Sequence, residues 1–343
     1  MKLRAGILGA SGYVGNELVR LLLNHEKVEI CYLGSSSSIG QNYATLYPNT
    51  PLNLAFENES LENLANKLDL LFLATPHNFS ASLLNENIIK NLKIIDLSAD
   101  FRLKNPKNYE IYYNFTHPNQ TLLKKAVYGL SELYKEEIKN SNFIANPGCY
   151  TTCSILALYP LLKEKIIDLS SIIIDAKSGV SGAGRAAKVD NLFCEVNENF
   201  KAYSLCNHRH IPEIEQELSL AAGQNLTLQF SPHLVPMQRG ILVTCYANLK
   251  ENTSEKKLRD VYEKHYKEAK FIRLLKEGVL PQTRFVRGSN FVDINFIKDE
   301  RTGRVIVLSV LDNLIKGAAG QAIQNMNLMF GFDEDLALKS LAF

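Results

Sequence analysis

The residues with the most distinctive chemistry lie in the segment 146–149 (Asn-Pro-Gly-Cys), between an apolar strand and an apolar helix. Residues 143–145 are typical of the end of a buried strand, and residues 150–162 carry apolar side chains at helical spacing. This pattern places Cys149 at or near the first turn of a helix, where unpaired N–H groups and the helix dipole favour a thiolate. Cys149 is therefore a candidate nucleophile, although the segment alone also fits a buried structural cysteine.

A second reactive group is the segment His208-Arg209-His210, which lies just before a helix that begins near Pro212. Two histidines beside an arginine supply a proton donor or acceptor next to a fixed positive charge. In an extended segment the two imidazoles point in similar directions, so the sequence does not decide which one transfers a proton.

The N-terminus has the pattern of a dinucleotide site. An apolar strand at 3–8 is followed by glycines at positions 9, 12 and 15, then by an amphipathic helix and a second strand at 28–33. Glycines at this spacing allow a tight turn, a close backbone approach to a pyrophosphate and close packing of the helix on the strand. A strand–helix turn that binds nothing is the alternative.

The end of the second strand indicates which dinucleotide is bound. An NAD site usually has Asp or Glu there to bind the ribose 2′-hydroxyl. This chain instead has Gly34 and four serines at 35–38, so no carboxylate repels a 2′-phosphate. The pattern favours NADP, although the arginine that often binds the 2′-phosphate is missing.

Two further strands, at 68–75 and 92–98, end at the expected carboxyl edge of a parallel sheet, where ligands bind in this architecture. Arg102 follows the second of them as a candidate anion ligand, or as a structural partner of Asp100 or another acid. The glycine-rich segment 177–185 could hold an anion or position a nicotinamide, or be a flexible turn.

The chain is predicted to have an α/β Rossmann domain followed by an α+β domain. The second half has mostly β-rich runs and a clear helix at 255–268, which predicts a largely antiparallel sheet. A terminal helix at 317–330 is expected to return to the first domain, because a Rossmann core needs cover on both faces. The predicted boundaries are 1–148 with 314–343 for the NADP-binding domain and 149–313 for the catalytic domain.

Composition excludes several classes of partner. The chain has 343 residues, 46% of them apolar and 22% charged, and its net charge is +2. Nucleic acid and membranes are therefore poor partners, and the longest apolar runs are only strand-sized. The six cysteines show no metal-type spacing with histidine, so we expect no metal site. With no signal peptide, a reduced cytoplasmic protein is expected.

Four motifs together resemble the N-acetyl-gamma-glutamyl-phosphate reductase family of arginine biosynthesis. They are GASGYVG at 9–15, NPGCYTT at 146–152, SGVSGAGR at 178–185 and HRHIPEI at 208–214. The order is the family's, and the similarity spans essentially the whole chain. Related aspartate-semialdehyde dehydrogenases differ around their cysteine and lack the HRHxPE pattern. The segment 312–327 also resembles the family and implies that Asn313 lies near the nicotinamide.

The resemblance implies a two-step reaction. Cys149 attacks the acyl phosphate of N-acetyl-glutamyl phosphate, which releases inorganic phosphate and leaves a thioester. NADPH then delivers hydride to give the semialdehyde, while His208 or His210 transfers protons. The backbone N–H of Cys149 could stabilise the oxyanion. The substrate-binding residues are predicted to be Arg102, Arg185, Arg209 and Glu213. The sequence does not decide which arginine binds the phosphate and which binds the carboxylate.

The remaining expectations follow from the same resemblance. The cofactor-binding residues are predicted to be Gly9, Ser11, Gly12, Tyr13, Val14, Gly15, Ser35, Ser36, Thr75, Pro76, Ser178, Gly179 and Asn313. A homodimer or homotetramer, built through the sheet of the second domain, is implied. One alternative is a dehydrogenase of aspartate semialdehyde or of another acyl phosphate. The other is a non-catalytic NADP-binding redox sensor.

Overall fold

The computed structural model describes residues 2–251 and 253–343. The strands are β1 (Leu3–Leu8), β2 (Val28–Gly34), β3 (Leu70–Leu73), β4 (Lys93–Asp96), β5 (Val127–Tyr128), β6 (Phe143–Ala145), β7 (Ile173–Ser178), β8 (Lys201–Ala202), β9 (Gln229–Leu234), β10 (Ile241–Asn248), β11 (Ile272–Leu274), β12 (Val292–Asp299) and β13 (Arg304–Leu311). The α-helices are α1 (Tyr13–Leu22), α2 (Tyr43–Leu46), α3 (Leu61–Lys67), α4 (Ser80–Leu83), α5 (Glu86–Asn91), α6 (Lys107–Tyr113), α7 (Gln120–Lys125), α8 (Lys135–Lys139), α9 (Cys149–Lys163), α10 (Phe193–Val196), α11 (Ile211–Ala222), α12 (Glu255–Tyr266) and α13 (Gly320–Met329). A π-helical segment, Ile315–Ala319, precedes α13.

The chain divides into two compact units. The first unit comprises the chain up to Pro147 together with Ala318–Lys339, and the second comprises Gly148–Gly317 with Ser340–Phe343. The terminal helix α13 therefore belongs to the first unit, where it contacts α1, α8 and β4. Among the described residues, no helix has both the length and the apolar character needed to cross a bilayer.

The first unit contains a six-stranded parallel sheet in the order β2-β1-β3-β4-β6-β5. From β1 the chain runs to β2 on one side, and then to β3 on the other side. Ligands of open parallel sheets bind at such a switch point, outside the carboxyl ends of the strands. The predicted Rossmann architecture is thus confirmed. The strands expected at 68–75 and 92–98 are shorter, at Leu70–Leu73 and Lys93–Asp96.

The second unit contains a seven-stranded mixed sheet in the order β11-β12-β13-β10-β7-β9-β8. Four of its pairings are antiparallel, and the pairs β11–β12 and β7–β9 are parallel. Strand β10 alternates buried and partly exposed residues, which is the pattern of a sheet covered on one face. Helix α9 contacts β10 and β13 and has almost no exposed side, as expected of a helix inside the core.

Helix α9 contains a proline, and a tyrosine from α12 compensates for it. Pro160 has no N–H, so the carbonyl of Leu156 loses its intrahelical donor. The hydroxyl of Tyr266 donates to that carbonyl at 2.6 Å. The hydroxyl of Tyr262 donates to the next carbonyl, of Ala157, at 2.5 Å. The core helix therefore tolerates Pro160 because a neighbouring helix supplies the missing donor.

A fully buried carboxylate lies at the carboxyl end of β4. Asp96 accepts hydrogen bonds from the hydroxyls of Ser80 at 2.9 Å and Ser98 at 2.8 Å, and from the backbone N–H of Ser98 at 3.0 Å. Burial, followed by the negative charge of Asp100, raises the pKa of Asp96 to about 7. The folded protein therefore binds a proton at Asp96 more tightly than the unfolded chain does.

This raised pKa predicts a pH-dependent stability. Between about pH 4 and pH 7 the folded state retains a proton that the unfolded state has lost, so the contribution of Asp96 to stability falls as the pH rises. We expect Asp96→Asn to gain free energy of unfolding relative to wild type across this window, by at most about 1.4 kcal/mol per pH unit. Denaturant titrations at several pH values test this. The exposed control Asp190→Asn should follow wild type, and a pH-independent difference for Asp96→Asn contradicts the prediction.

Candidate functional site

Cys149 is the first residue of α9, as the sequence predicts, and its side chain is half-buried. Gly148 caps the helix in an extended conformation, with φ −72° and ψ 156°. The first-turn N–H groups have no acceptors within the helix, so they present positive partial charge to the thiol. The hydroxyl of Tyr203 donates to that of Tyr150, the neighbour of Cys149 in α9, at 3.3 Å. Burial raises the pKa of Tyr203 to about 12.

A buried carboxylate links the helix of Cys149 to the histidine segment. Glu213, in the first turn of α11, is fully buried. Its Oε1 accepts the N–H of Gly148 at 2.9 Å and the hydroxyl of Thr151 at 2.9 Å. The NPGC and HRHIPE motifs are thus in direct contact within the second unit. The substrate contact expected of Glu213 stays a prediction. In the structure its Oε1 holds the start of α9.

The two histidines lie in a cluster of aromatic rings. The ring centroids of His208 and His210 are 4.9 Å apart. Both rings contact Tyr150, the neighbour of Cys149, with centroid distances of 5.6 and 6.0 Å. His208 also contacts Tyr203 at 5.5 Å and Phe230 at 5.3 Å. The structure therefore brings the candidate nucleophile and both candidate proton carriers into one region of the second unit.

The protonation of His208 is fixed by its surroundings. The backbone N–H of His210 donates to Nδ1 of His208 at 3.1 Å, so Nδ1 carries no proton. Burial, followed by the positive charge of Arg209, lowers the pKa of His208 to about 4. At neutral pH the ring is therefore neutral, with its proton on Nε2. It can donate a hydrogen bond from Nε2, but its basic nitrogen is already engaged.

Asn313 is buried and holds the glycine-rich segment in place. Its Oδ1 accepts the N–H of Gly240 at 2.8 Å, and its Nδ2 donates to the hydroxyl of Ser181 at 2.9 Å. Gly179 packs so closely on the turn at 238–239 that a Cβ there would lie 2.8 Å from the carbonyl of Gln238. Asn313 and the predicted pair at 178–179 are therefore in one part of the second unit, although their contact with a nicotinamide stays a prediction.

Sequence reasoning missed a buried ion pair beside Asn313. Oδ1 of Asp312 accepts the N–H groups of Leu314 and Ile315, at 2.8 and 3.1 Å. Its Oδ2 accepts the N–H of Gly288 at 2.7 Å and lies 3.2 Å from Nε of Arg239. Asp312 lies in the motif 312–327, but only the fold shows that Arg239 reaches it from the turn between β9 and β10.

The predicted phosphate loop has the close packing that only glycine permits. Gly9 has φ +88°, and a Cβ there would overlap the carbonyl oxygen of Ala74 at the end of β3. A Cβ on Gly15 would lie 2.6 Å from Cα of Ala10. The loop therefore lies directly on the carboxyl ends of β1 and β3, at the switch point of the sheet.

The serine run after β2 contacts this loop. The hydroxyls of Ser11 and Ser35 are 2.9 Å apart, and those of Ser35 and Ser37 are 3.4 Å apart. Ser36 is exposed. After β3, the hydroxyl of Thr75 lies 3.0 Å from that of Ser80. The structure thus brings together three predicted cofactor-binding segments of the first unit.

The three candidate arginines differ in environment. Arg102 is buried in the first unit, where Nε donates to the carbonyl of Asn146 at 2.7 Å and Nη2 donates to that of Leu97 at 2.8 Å. It therefore anchors the backbone beyond the ends of β4 and β6. Arg185 and Arg209 are exposed in the second unit. A substrate contact for any of the three stays a prediction.

Comparison with known families gives two matches that together cover most of the chain. Residues 4–141 match the family described as semialdehyde dehydrogenase, NAD binding domain. Residues 149–313 match the family described as semialdehyde dehydrogenase, dimerisation domain.

Curated relatives match over the full length. The N-acetyl-gamma-glutamyl-phosphate reductase of Campylobacter jejuni subsp. jejuni serotype O:2 is 73% identical over 342 residues, covering 100% of this chain and 99% of the relative. The protein of the same name from Lachnoclostridium phytofermentans is 53% identical over 340 residues, covering 98% of each chain.

Solved structures share the fold. Aspartate semialdehyde dehydrogenase II from Vibrio cholerae has a TM-score of 0.72 at 18% identity, covering 96% of this chain and 99% of that one. The Candida albicans aspartate semialdehyde dehydrogenase with NADP has a TM-score of 0.64 at 18% identity, with the same coverage.

The contact between α11 and α9 predicts a difference between two substitutions. Glu213→Ala leaves the buried N–H of Gly148 without this acceptor, whereas the hydroxyl of Thr151 keeps the carbonyl of Gly148 as its acceptor. We expect it to lower the free energy of unfolding by about 2–3 kcal/mol. Glu213→Gln retains Oε1 and should cost about 1 kcal/mol, the difference between a charged and a neutral hydrogen bond. Denaturant titration of both variants tests this, and equal losses would show that Oε1 is not what holds the start of α9.

Proposed function

The chain belongs to the N-acetyl-gamma-glutamyl-phosphate reductase family, and we propose that it reduces N-acetyl-L-glutamyl 5-phosphate to N-acetyl-L-glutamate 5-semialdehyde with NADPH, releasing phosphate. It is an NADP(H)-dependent oxidoreductase of amino-acid biosynthesis. The observation that carries the proposal is the contact of Glu213 with Gly148, which joins the nucleophile and histidine motifs. Identity over the full chain favours this substrate over aspartyl phosphate, and the assembled site argues against a non-catalytic sensor.

Cys149 carries the acyl group in this proposal. Its Sγ attacks the acyl carbon, the C–O bond to phosphate breaks, and phosphate leaves with the bonding electrons. The product is a thioester on Cys149. The backbone N–H of Cys149 at the start of α9 stabilises the negative oxygen of the tetrahedral intermediate. When bound, NADPH would supply the hydride that reduces the thioester. Cys149 then leaves as the thiolate when the C–S bond of the resulting thiohemiacetal breaks and the semialdehyde is released.

The residues of the first unit fit NADP. The loop 9–15 would hold the pyrophosphate, because Gly9 and Gly15 leave the space that a side chain would fill. Ser35 and Ser36 would bind the 2′-phosphate, since β2 ends without a carboxylate to repel it. The remaining predicted contacts of the first unit are Ser11, Gly12, Tyr13, Val14, Thr75 and Pro76. Those of the second unit are Ser178, Gly179 and Asn313.

Of the two histidines, His210 transfers the proton. Nδ1 of His208 already accepts the N–H of His210, and its pKa of about 4 keeps the ring neutral. His208 therefore acts as a hydrogen-bond donor from Nε2 and not as a base. Arg185 and Arg209, both exposed in the second unit, bind the phosphate or carboxylate. Arg102 and Glu213 contribute by holding the backbone just before Cys149, at Asn146 and at Gly148 respectively.

The chemistry is tested by the reverse reaction. With phosphate and NADP, we expect NADPH formation from N-acetyl-glutamate semialdehyde and much less from aspartate semialdehyde. Cys149→Ala should abolish turnover, with a loss of about 10³-fold or more, because no thioester can form. Cys194→Ala, which removes an exposed cysteine, should retain full activity. A Cys149→Ala variant with full turnover would falsify the mechanism.

The assignment of the proton carrier is tested by a matched pair. His210→Asn should lower kcat by about 10²–10⁴-fold, the usual contribution of general acid–base catalysis. His208→Asn retains an acceptor at the position of Nδ1 and loses one hydrogen-bond donor, so a loss of about tenfold is expected. Because His208 does not titrate above about pH 5, its variant should retain the wild-type pH profile. A larger loss of kcat in His208→Asn than in His210→Asn would mean that His208 transfers the proton.

We also propose a cytoplasmic homodimer or homotetramer built through the sheet of the second unit. Cys153 of α9 lies 3.3 Å from the hydroxyl of Ser309, so α9 covers that face of β13. On the opposite face a row of paired side chains runs across four strands, comprising Ile297, Ile306, Tyr246 and Ile173. All four are partly or fully exposed. An apolar row on an open sheet face fits a second copy of this chain, in keeping with the matched dimerisation domain.

Substitution in this row tests the assembly. Ile306→Asp places a charge at its centre and should shift the protein toward monomer by at least about tenfold in dissociation constant. Leu220→Asp is the control, because Leu220 is 61% exposed on α11, away from the row. Light scattering after size-exclusion chromatography gives the molar mass of each. An Ile306→Asp variant that stays oligomeric at all concentrations would refute this interface.

A further inference from the structure

Gly317 lies against the proposed nucleophile within the second unit. A Cβ built on Gly317 would be 2.7 Å from Cβ and 3.2 Å from Cα of Cys149. The first distance is shorter than side chains tolerate, so an added methyl group must displace one of the two residues. Gly317 does not have a positive φ, unlike the loop glycine Gly9. Glycine is therefore required at 317 for space and not for backbone conformation.

Neither side of this contact can give way easily. The two nearest atoms that the methyl group would meet are Cβ and Cα of the first residue of α9, not the end of a flexible side chain. Cδ1 of Leu311 lies farther away, at 3.3 Å. The start of α9 is itself held by Glu213, through the N–H of Gly148 at 2.9 Å. Moving Cys149 away from Gly317 would therefore strain a hydrogen bond between two buried groups.

Gly317 is fixed from its own side as well. It belongs to the π-helical segment Ile315–Ala319, and its N–H donates to the carbonyl of Asp312 at 2.9 Å. The carboxylate of Asp312 in turn accepts the first N–H groups of this segment and pairs with Arg239. The buried ion pair thus sets the position of the turn that touches Cys149. π-Helical turns of this kind occur often at functional sites.

We propose that Gly317 is a positioning residue for the reaction, and that the backbone of the π-helical segment supports Cys149 so that its Sγ stays aligned with the first-turn N–H groups. The proposal rests on the nucleophilic role of Cys149 stated above. Thiolate formation and attack both depend on this alignment, and a displacement of about 1 Å can cost 10²-fold in rate.

The test uses Gly317→Ala in the full-length protein, with Gly303→Ala as control. Gly303, at the far end of β13, has φ +68° and no neighbour within 4 Å of an added Cβ, so its substitution strains the backbone without a collision. Iodoacetamide labelling of Cys149, followed by mass spectrometry without substrate or cofactor, gives the reactivity of the thiol. The reverse reaction gives kcat and KM.

We expect Gly317→Ala to lower both kcat and the rate of labelling by about 10–100-fold, while KM and the Kd for NADPH change by less than about twofold. The pH at which labelling is half-maximal should rise, because the displaced thiolate loses the helix start. Gly303→Ala should leave labelling and kcat unchanged. Wild-type labelling in Gly317→Ala, or an equal loss in Gly303→Ala, overturns the proposal. Labelling needs no substrate, so failure of the proposed reaction would appear separately, as wild-type protein without turnover.

A second measurement applies even if Gly317→Ala is poorly stable. Cys149→Gly removes the Cβ that the new methyl group would meet. The fall in Tm caused by Gly317→Ala should therefore be at least halved in the Cys149→Gly background, as expected for residues in direct contact. An undiminished fall in the double variant, or a double variant that remains insoluble, overturns the proposal.

Discussion

The hydrogen bonds from Gly148 and Thr151 to the buried carboxylate of Glu213 determine most of the geometry of the second unit's site. A buried carboxylate is stable only when it is well paired, so Glu213 must keep these donors, and α11 must start where α9 starts. The consequence is that the histidines, which immediately precede α11, are held near the first turn of α9. The site therefore depends on a contact between two helix starts, not on the loops around it.

Much of this organisation could be predicted from sequence because it leaves a periodic spacing of apolar residues or a characteristic spacing of glycines. The strand Leu3–Leu8 coincides with its predicted range, the second strand, predicted at 28–33, extends one residue further to Gly34, and α9 begins at Cys149 as its apolar spacing indicates. The mixed pairing of the second sheet was not predictable in detail, since parallel partners such as β7 and β9 are set by packing over long sequence separations.

The features that the sequence did not predict depend on polar contacts between residues far apart in the chain. The terminal helix was expected from residue 317, but a π-helical segment precedes it and α13 begins at Gly320. Just before this segment Asp312 pairs with Arg239 and accepts the N–H groups of Leu314 and Ile315, and such contacts leave no periodic pattern. Arg102 is expected from sequence as an anion ligand or as a structural partner of an acid. In the structure its Nε and Nη2 donate to the backbone carbonyls of Asn146 and Leu97, beyond the ends of β6 and β4.

The proline inside α9 has a consequence for how this chain can change over time. The carbonyl of Leu156 receives its hydrogen bond from Tyr266, on a different helix and 110 residues away in the chain. Replacing Tyr266 alone would strand that carbonyl in the interior. Replacing Pro160 alone would restore an N–H that competes with the tyrosine hydroxyl for the same oxygen. Substitutions at these two positions are therefore expected to be epistatic, each accepted most readily in lineages that have already altered the other.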